Sequence, residues 1–341
     1  MTFQRRTLVL LVVAALAASI AACRDGHQDS AAGRDGWKRV VPGGDCECSD
    51  GSQFSFWVRK ANPTKVVFYL QGGGACWSAQ TCASGREVYT RRIGPDDGPI
   101  RLKGMFDFAD SRNPFADYSV VYVPYCTGDV HIGNTTTKYG PRLTVHHKGY
   151  VNGTAALDYL AAKFPHATQL VVAGESAGSV AAPFYAGLAS DRLPLARVTA
   201  LADGSGAYPD DPTVNSIVAA WGTARTKPAW ATAHRSLPGF FIDSGRHDKR
   251  IVFARHDYAS DADQAYFAKL AGLRAKNLAT LMDRNEATIE RAGVNLFSYV
   301  SPGNEHLVLS ERRFYSEKVN GELFVDWVSE LITRKRIADV H

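Results

Sequence analysis

Six short apolar runs, each bounded by turn residues, recur along the chain and predict strands. They contain five to seven residues each: Val66–Leu70, Tyr118–Pro124, Gln169–Ala173, Val198–Ala202, Ile251–Arg255 and Asn295–Val300. Apolar residues occupy successive positions in these runs, which is typical of strands that are buried on both faces. The pattern therefore predicts a mostly parallel sheet with a cover on each side.

Helical patterns lie between several of these strands. Gly153–Phe164 places its apolar side chains on one face at helical spacing, and Ser176–Ser190 is rich in alanine. Asp263–Arg291 is long enough for one extended helix or two, and Glu311–Arg334 closes the chain. Strands that alternate with helices predict an α/β fold in which helices cover both faces of the sheet.

Two segments lack this periodicity. Thr81–Pro114 is rich in glycine, arginine and aspartate, and Pro209–Gly245 carries tryptophans and phenylalanines among prolines. We interpret both as loop or cap insertions that could cover a site, with ordinary surface loops as the alternative. The roughly 300 residues from position 37 to position 341 suit a single domain with a full core.

The amino terminus resembles an export signal. Two arginines precede an apolar run of about 15 residues that ends at Ala22, which is short for a membrane span and typical of a signal peptide. An N-terminal transmembrane anchor is the alternative. Because Cys23 follows the sequence IAA, as in a bacterial lipobox, we expect residues 1–22 to be removed. Cys23 would then carry a lipid anchor in the cell envelope. The polar residues 23–36 predict a flexible tether.

Charge and cysteine content narrow the functional classes. The formal net charge of +5 is too small to argue for nucleic-acid binding. The spacing of the cysteines matches no zinc motif, so disulfides are their better interpretation in an exported protein. Apart from Cys23 there are five of them, and an odd number leaves one over: Cys46, Cys48, Cys76, Cys82 and Cys126.

Ser176 has the sequence setting of a catalytic nucleophile. It lies in GESAG, a G-x-S-x-G motif that follows the strand QLVVA and opens the next helical segment. A nucleophile elbow requires this strand–turn–helix context. In hydrolases with such an elbow the triad residues follow in the order serine, acid, histidine along the chain. His306, in a glycine-containing loop after the strand NLFSYV, is the candidate base, whereas His247 and His256 flank a charged strand and are expected to be structural.

Donors for a developing oxyanion follow the strand VVFYL. Gly72, Gly73 and Gly74 follow it after a single residue, Gln71, and glycines at a strand end let the backbone approach a ligand closely. We expect the backbone N–H donors to come from Gly73, Gly74 and Ala177.

Six segments, in order, resemble the pectin acetylesterases and their relative Notum, a lipid-removing carboxylesterase. They are CSDGS (48–52), QGGGACW (71–77), PYCTGDVHIGN (124–134), GESAGS (174–179), LADGSGAY (201–208) and NEHLVL (304–309). The resemblance runs from about Cys48 to the carboxyl terminus, and its specificity lies in the ordered set. It implies an α/β-hydrolase-like fold with a Ser-His-Asp triad.

The resemblance nominates a triad acid that spacing leaves open. The family carries D-x-x-Q after the sixth strand, with the triad aspartate first, and residues 261–264 match that pattern. The carry-over is Asp261. Proximity alone would equally nominate Asp257 or Asp263.

For the cysteines, the resemblance implies the disulfides Cys48–Cys126 and Cys76–Cys82. The first would tie the start of the domain to the strand that bears YCTGD, beside the oxyanion loop. Cys46 is then left over, either free or in an exchange that the sequence does not reveal.

Four further residues in these segments need an interpretation. Asp129 and His131 offer two metal ligands without a third, so we expect no metal, and Asp129 is expected to brace its loop. Asp203 follows a strand and is expected to hold the elbow region. Trp77 adjoins the oxyanion glycines, where it would line an acyl pocket or belong to the core.

The sequence therefore predicts a serine carboxylesterase that needs no cofactor. By resemblance its substrate would be an O-acyl ester, with acetyl favoured, on a carbohydrate such as pectin. The alternative within the class is an esterase of lipid or small acyl esters. A non-catalytic envelope lipoprotein that keeps the hydrolase fold is the alternative from another class.

Overall fold

The structure is a computed structural model that describes residues 28–29, 36–83, 88–94, 97–231, 236–273, 277–335 and 337–341. The predicted signal peptide and Cys23 lie outside these residues. Within the predicted tether, Gln28 and Asp29 form a short strand that pairs with Val41 and Val40. An edge strand offers unpaired backbone groups to such a segment.

Thirteen strands occur among the described residues. In chain order they are β1 (Gln28–Asp29), β2 (Trp37–Val41), β3 (Phe56–Arg59), β4 (Asn62–Leu70), β5 (Tyr118–Val123), β6 (Thr135–Gly140), β7 (Leu143–His147), β8 (Gln169–Glu175), β9 (Arg197–Asp203), β10 (Val252–Tyr258), β11 (Leu296–Ser301), β12 (Lys318–Val319) and β13 (Glu322–Leu323). Nine of them form one sheet in the order β1-β2-β3-β5-β4-β8-β9-β10-β11. From β5 to β11 the neighbours are parallel, and β1, β2 and β3 extend the sheet in antiparallel fashion.

Helices follow most of the parallel strands. They are α1 (Ala79–Cys82), α2 (Gly149–Lys163), α3 (Ala177–Arg192), α4 (Pro212–Ala220), α5 (Leu237–His247), α6 (Ala262–Leu270), α7 (Leu278–Arg291) and α8 (Phe324–Thr333). Side chains of α2, α3 and α5 share one core cluster, whereas those of α8 belong to a second. Helices therefore cover both faces of the mostly parallel sheet, which confirms the predicted α/β fold.

The strand β4 shows how one apolar run serves both cores. Val66, Phe68 and Leu70 point into the cluster that contains α2 and α3, while Val67 and Tyr69 point into the cluster that contains α8. All five are fully buried. Successive strand residues face opposite sides of a sheet, so a strand with two covered faces must be apolar throughout.

Several predicted elements need correction. All six predicted strands lie in the sheet, but β10 continues past Arg255 and carries a histidine and an aspartate into the interior. Asp263–Arg291 contains two helices, and Pro209–Gly245 contains α4 and α5 rather than loop alone. Only Phe324–Thr333 of the predicted closing helix is α-helical, because a short β-hairpin precedes it. No helix in the part of the chain that the structure describes is both long and apolar enough to cross a membrane.

Candidate active site

Ser176 occupies a strained turn between β8 and α3. Its φ of 49° and ψ of −117° place a residue with a side chain where glycine is usually required. Such a conformation costs about 1–3 kcal/mol and persists only where its surroundings enforce it. Although Ser176 is the N-cap residue of α3, its hydroxyl does not cap the helix. The turn therefore leaves this oxygen available at the carboxyl edge of the sheet.

The two glycines of the motif let the turn pack. A Cβ on Gly174 would lie 2.3 Å from the carbonyl oxygen of Gly178, and one on Gly178 would lie 2.0 Å from the carbonyl oxygen of Leu70. Both distances are far below van der Waals contact with rigid backbone. The helix α3 therefore approaches the end of β4 closely, because both positions lack a side chain.

His306 and Asp261 meet at the same edge of the sheet. Asp261 follows β10 and caps α6, and His306 lies in the loop after β11. Nδ1 of His306 is 2.8 Å from Oδ2 of Asp261, which is completely buried. The carboxylate accepts a hydrogen bond from Nδ1–H, which keeps that proton on Nδ1 and leaves Nε2 free to accept a proton.

The backbone brings this pair next to Ser176. The Ser176 amide donates to the carbonyl oxygen of Asp203, and Gly204 packs against His306, whose Cε1 would be 3.1 Å from a Cβ there. Among the described hydrogen bonds, none joins Ser176 Oγ to His306. In enzymes without substrate this bond is commonly long and tightens when substrate binds.

The other two candidate acids have different environments. Asp257 is buried, accepts the Gly206 amide at 2.7 Å and forms an ion pair with Arg255 at 2.9 Å. Asp263 is exposed. The side chain amide of Gln264 donates to both Asp257 and Asp261 at 2.9 Å, which locks the orientation of the two carboxylates.

The pKa of His306 reflects this arrangement. Burial lowers it, but the hydrogen bond and negative charge of Asp261 more than offset that effect and raise the pKa above its ordinary value of 6.5. The carboxylate therefore favours the imidazolium that forms when a base takes a proton.

The predicted oxyanion donors belong to two backbone segments that adjoin Ser176. A Cβ on Gly72 would lie 2.9 Å from Cβ of Ser176, so the glycine loop is in contact with the elbow. Gly73 and Gly74 have φ values of 153° and 78°, which favour glycine. Ala177 begins α3, where no earlier turn offers a carbonyl to its amide. The predicted donors thus lie on the two backbone segments that adjoin Ser176.

A second buried aspartate–histidine pair lies beneath the loop of His306. Oδ1 of Asp203 is 2.8 Å from Nδ1 of His256, and Oδ2 accepts the amides of Val308 and Leu309 at 2.9 Å. Both side chains of the pair are fully buried. Asp203 therefore supports the elbow through its carbonyl and the loop of His306 through its carboxylate. The sequence identified it as structural without showing this second role.

Glu175 is a buried carboxyl group that sequence reasoning missed. It precedes the nucleophile, accepts a 2.5 Å hydrogen bond from Ser310 and lies against Gly72. Burial raises its pKa, and the hydrogen bond from Ser310 opposes that rise. The signal in the sequence was an acidic residue inside the G-x-S-x-G motif, between a buried strand and a helix. Its contacts connect the elbow, the oxyanion loop and the segment after His306.

The TGDVH loop is braced from both sides. Asp129 accepts the Gly149 amide at 2.7 Å and the Thr127 hydroxyl at 2.5 Å. Nε2 of His131 is 2.8 Å from the carbonyl oxygen of Gln71, and burial lowers the pKa of His131 to about 4. The neutral ring therefore donates Nε2–H to that carbonyl.

Three groups of described side chains could approach a metal ion. One includes the disulfide-bonded Cys76 and Cys82, and another includes Asp261 and His306 of the candidate triad. The third combines Glu286 of α7 with two residues near the carboxyl terminus. Asp129 and His131 belong to none of the three.

An apolar cavity of about 80 Å³ opens beside Ser176. Trp77, one of its lining residues, thus has the position that sequence reasoning proposed as one of two alternatives. The cavity is also lined by residues of α4 and by Trp221, whose indole N–H donates to the Cys76 carbonyl at 2.8 Å. The aromatic-rich segment predicted to cap a site contributes α4 and Trp221 to this wall.

The disulfides tie the site to the amino-terminal part of the domain. Cys48–Cys126 and Cys76–Cys82 have S–S distances of 2.11 and 2.21 Å. Cys46, the cysteine that the two expected disulfides leave unassigned, is disulfide-bonded as well. None of the described cysteines is free. Disulfides form in oxidising compartments and therefore indicate export.

Known proteins are similar to this chain in sequence and in fold. The family model described as Pectinacetylesterase matches residues 42–221. The palmitoleoyl-protein carboxylesterase notum2 of Xenopus laevis is 29% identical over 93 residues, which is 26% of this chain and 19% of that protein. NOTUM of Schmidtea mediterranea is 30% identical over 97 residues, or 27% of this chain and 18% of that protein. The matched stretch thus spans about a fifth of these relatives.

Two further similarities concern activity and fold. An inactive palmitoleoyl-protein carboxylesterase, notum1b of Danio rerio, is 26% identical over 101 residues, or 28% of this chain and 73% of that protein. The solved structure of the Wnt deacylase Notum from Drosophila superposes with a TM-score of 0.62 at 16% identity. That superposition covers 88% of this chain and 94% of the other, which establishes a common fold.

Proposed function

The chain belongs to the pectinacetylesterase family, and we propose that it is a serine carboxylesterase that acts through Ser176, His306 and Asp261. The observation that carries this proposal is the strained serine at the strand–helix turn, with a buried Asp–His pair beside it on the same sheet edge. A strained non-glycine residue and a buried carboxylate both cost stability, which is expected where chemistry requires them.

The reaction proceeds through an acyl-enzyme. Ser176 Oγ attacks the ester carbonyl while Nε2 of His306 takes its proton, and Gly73, Gly74 and Ala177 donate to the oxyanion. The bond to the alcohol oxygen breaks as His306 returns the proton to the leaving group. Water then attacks the acyl-serine, again through His306, and releases the carboxylic acid. Asp261 holds the imidazole tautomer throughout.

The proposed substrate is an O-acyl ester, with acetyl on a carbohydrate such as pectin as the first candidate. The small cavity beside Ser176 supports a short acyl group, and its apolar wall suits a hydrocarbon rather than a charged one. Esters of lipids or other small acyl groups are the second candidate, since two relatives are named as palmitoleoyl-protein carboxylesterases.

We propose that the protein is exported and that a thioether-linked lipid on Cys23 holds it in the cell envelope. Because one sulfur carries either a lipid or a disulfide, the anchored form is the one in which the Cys23 thiol is not oxidised. The disulfides support export, and the lipobox-like sequence before Cys23 supports the anchor. Intact mass of the protein extracted from membranes tests this, because a lipid-modified Cys23 adds the mass of its acyl chains.

A non-catalytic envelope protein with the hydrolase fold is the competing function. It is favoured by one observation, the similarity to a relative that is named inactive. Such a protein has no need for an aligned base, whereas His306 and Asp261 are hydrogen-bonded here at 2.8 Å.

A fluorophosphonate probe separates the two functions. We expect one adduct on the wild-type protein, mapped to Ser176, none on Ser176→Ala and much slower labelling of His306→Ala. Circular dichroism of each variant verifies that it is folded. A folded wild-type protein that takes up no probe and hydrolyses no ester would establish the scaffold function instead.

A further inference from the structure

Val130 is held in a backbone conformation that valine rarely adopts. Its φ is 47°, and that of the following residue, His131, is 63°. A left-handed φ crowds Cβ against the backbone, and a β-branched side chain makes this worse. Residues of this kind persist where their surroundings enforce them, and they concentrate at ligand sites. Ser176, the candidate nucleophile, is another non-glycine residue with positive φ.

The surroundings of Val130 do enforce this conformation. The Val130 amide donates to the hydroxyl of Tyr125 at 2.8 Å. The residue before it, Asp129, accepts the Gly149 amide, and the residue after it, His131, is bonded to the backbone of the oxyanion loop. Because both neighbours are anchored, the valine side chain has a fixed direction.

That direction is the cavity beside the nucleophile. Val130 and Ser176 both line it, and only 6% of the Val130 surface is exposed. Glycine would adopt the same backbone without strain, so the side chain is kept at an energetic cost. What it contributes in return is part of the apolar wall of the cavity.

We propose that Val130 is a specificity-determining residue that narrows the cavity beside Ser176 and favours acyl groups of about two to four carbons. The inference rests on the proposed function and deepens it. The cavity of about 80 Å³ is roughly half the size of a cavity of about 150 Å³ that holds benzene. In an apolar pocket, one methylene too many changes the rate by about tenfold or more.

The test is a chain-length profile with p-nitrophenyl esters from acetate to decanoate. We expect kcat/KM of the wild-type protein to fall by about tenfold or more for each methylene beyond butyrate. Val130→Gly removes the wall and fits the backbone, so its optimum should move by about two carbons to longer esters. Val130→Ala should move it less, and Val130→Ile should depress butyrate relative to acetate.

Controls separate this inference from the proposed function. Asn320→Gly changes another positive-φ position, in the turn between β12 and β13 and away from the cavity, and should leave the profile unchanged. If Val130→Gly does not fold, Val130→Ala and Val130→Ile still decide the matter in opposite directions. Folded variants that react with the fluorophosphonate but keep the wild-type profile would overturn the role of Val130. A folded wild-type protein that the fluorophosphonate does not label would instead overturn the proposed esterase function.

Discussion

Replacement of Asp261 by asparagine should inactivate the protein through the tautomer of His306. Oδ1 of Asp261 accepts the rigid backbone amides of Asp263 and Gln264, both at 2.9 Å. An asparagine must therefore keep its oxygen at that position and place its NH₂ where Oδ2 was. There it faces Nδ1 of His306, which must become the acceptor and leave the proton on Nε2. The base then carries a proton at the atom that should receive one.

The size of the effect follows from this geometry. A wrong histidine tautomer in a Ser-His-Asp triad lowers kcat by about 10⁴-fold. At 1.36 kcal/mol for each factor of ten, this corresponds to about 5.4 kcal/mol of lost transition-state stabilisation. The new NH₂ also faces the Gln264 amide, which donates to Oδ2 in the wild-type protein. One such buried mismatch should lower the free energy of unfolding by about 1–3 kcal/mol.

Steady-state hydrolysis of p-nitrophenyl acetate and urea unfolding measure the two effects separately. Asp326→Asn is the matched control, because it makes the same change at an exposed position of α8, a helix that contributes none of the candidate triad. Its kcat should remain within about twofold, as surface substitutions rarely have large effects. A folded Asp261→Asn variant that keeps kcat within tenfold of wild type would show that Asp261 does not set the tautomer of His306. An Asp257→Asn variant that stays folded and loses activity would then identify Asp257 as the triad acid.

Three further results are expected. Since Asp261 raises the pKa of His306, the acidic limb of the kcat/KM profile should lie above pH 6.5, and the stability advantage of wild type over His306→Asn should be full below that pH and decline as pH rises through the folded pKa; a limb below pH 6.5 would contradict this. Gly178→Ala should lose at least about 3 kcal/mol in urea unfolding, because its methyl would lie 2.0 Å from the Leu70 carbonyl; a near-wild-type midpoint would refute the close packing. Gln264→Leu should lower stability by about 3 kcal/mol and also reduce kcat, since two buried carboxylates lose a shared donor; unchanged kcat would show that Asp261 needs no such support.

Much of the fold could be predicted because its signals are local. A strand such as Val66–Leu70 is recognisable from consecutive apolar residues, since both faces of a central strand are buried. The elements that were missed depend on distant partners. The short strands β12 and β13 have no hydrophobic pattern of their own, and the helices α4 and α5 lie among prolines that also suit loops.

The sequence by itself determined the strand–turn–helix geometry around Ser176, the candidate nucleophile. Strand, sharp turn and helix follow each other within a few residues, and the glycines on either side of Ser176 are required by contacts of the turn itself and of the adjoining end of β4. Family resemblance, rather than spacing, nominated Asp261. Its alternatives stayed open because three aspartates fall within seven residues of one another.

Only the tertiary structure decided which side chains meet. Asp261 and His306 are 45 residues apart, and Glu175 and Ser310 are 135 apart, yet each pair is hydrogen-bonded. The strained Val130 enters the cavity because distant partners hold both of its neighbours. Chain-local patterns describe dihedral preferences and burial, whereas such encounters depend on the order of strands in the sheet, which brings the carboxyl ends of parallel strands to one edge.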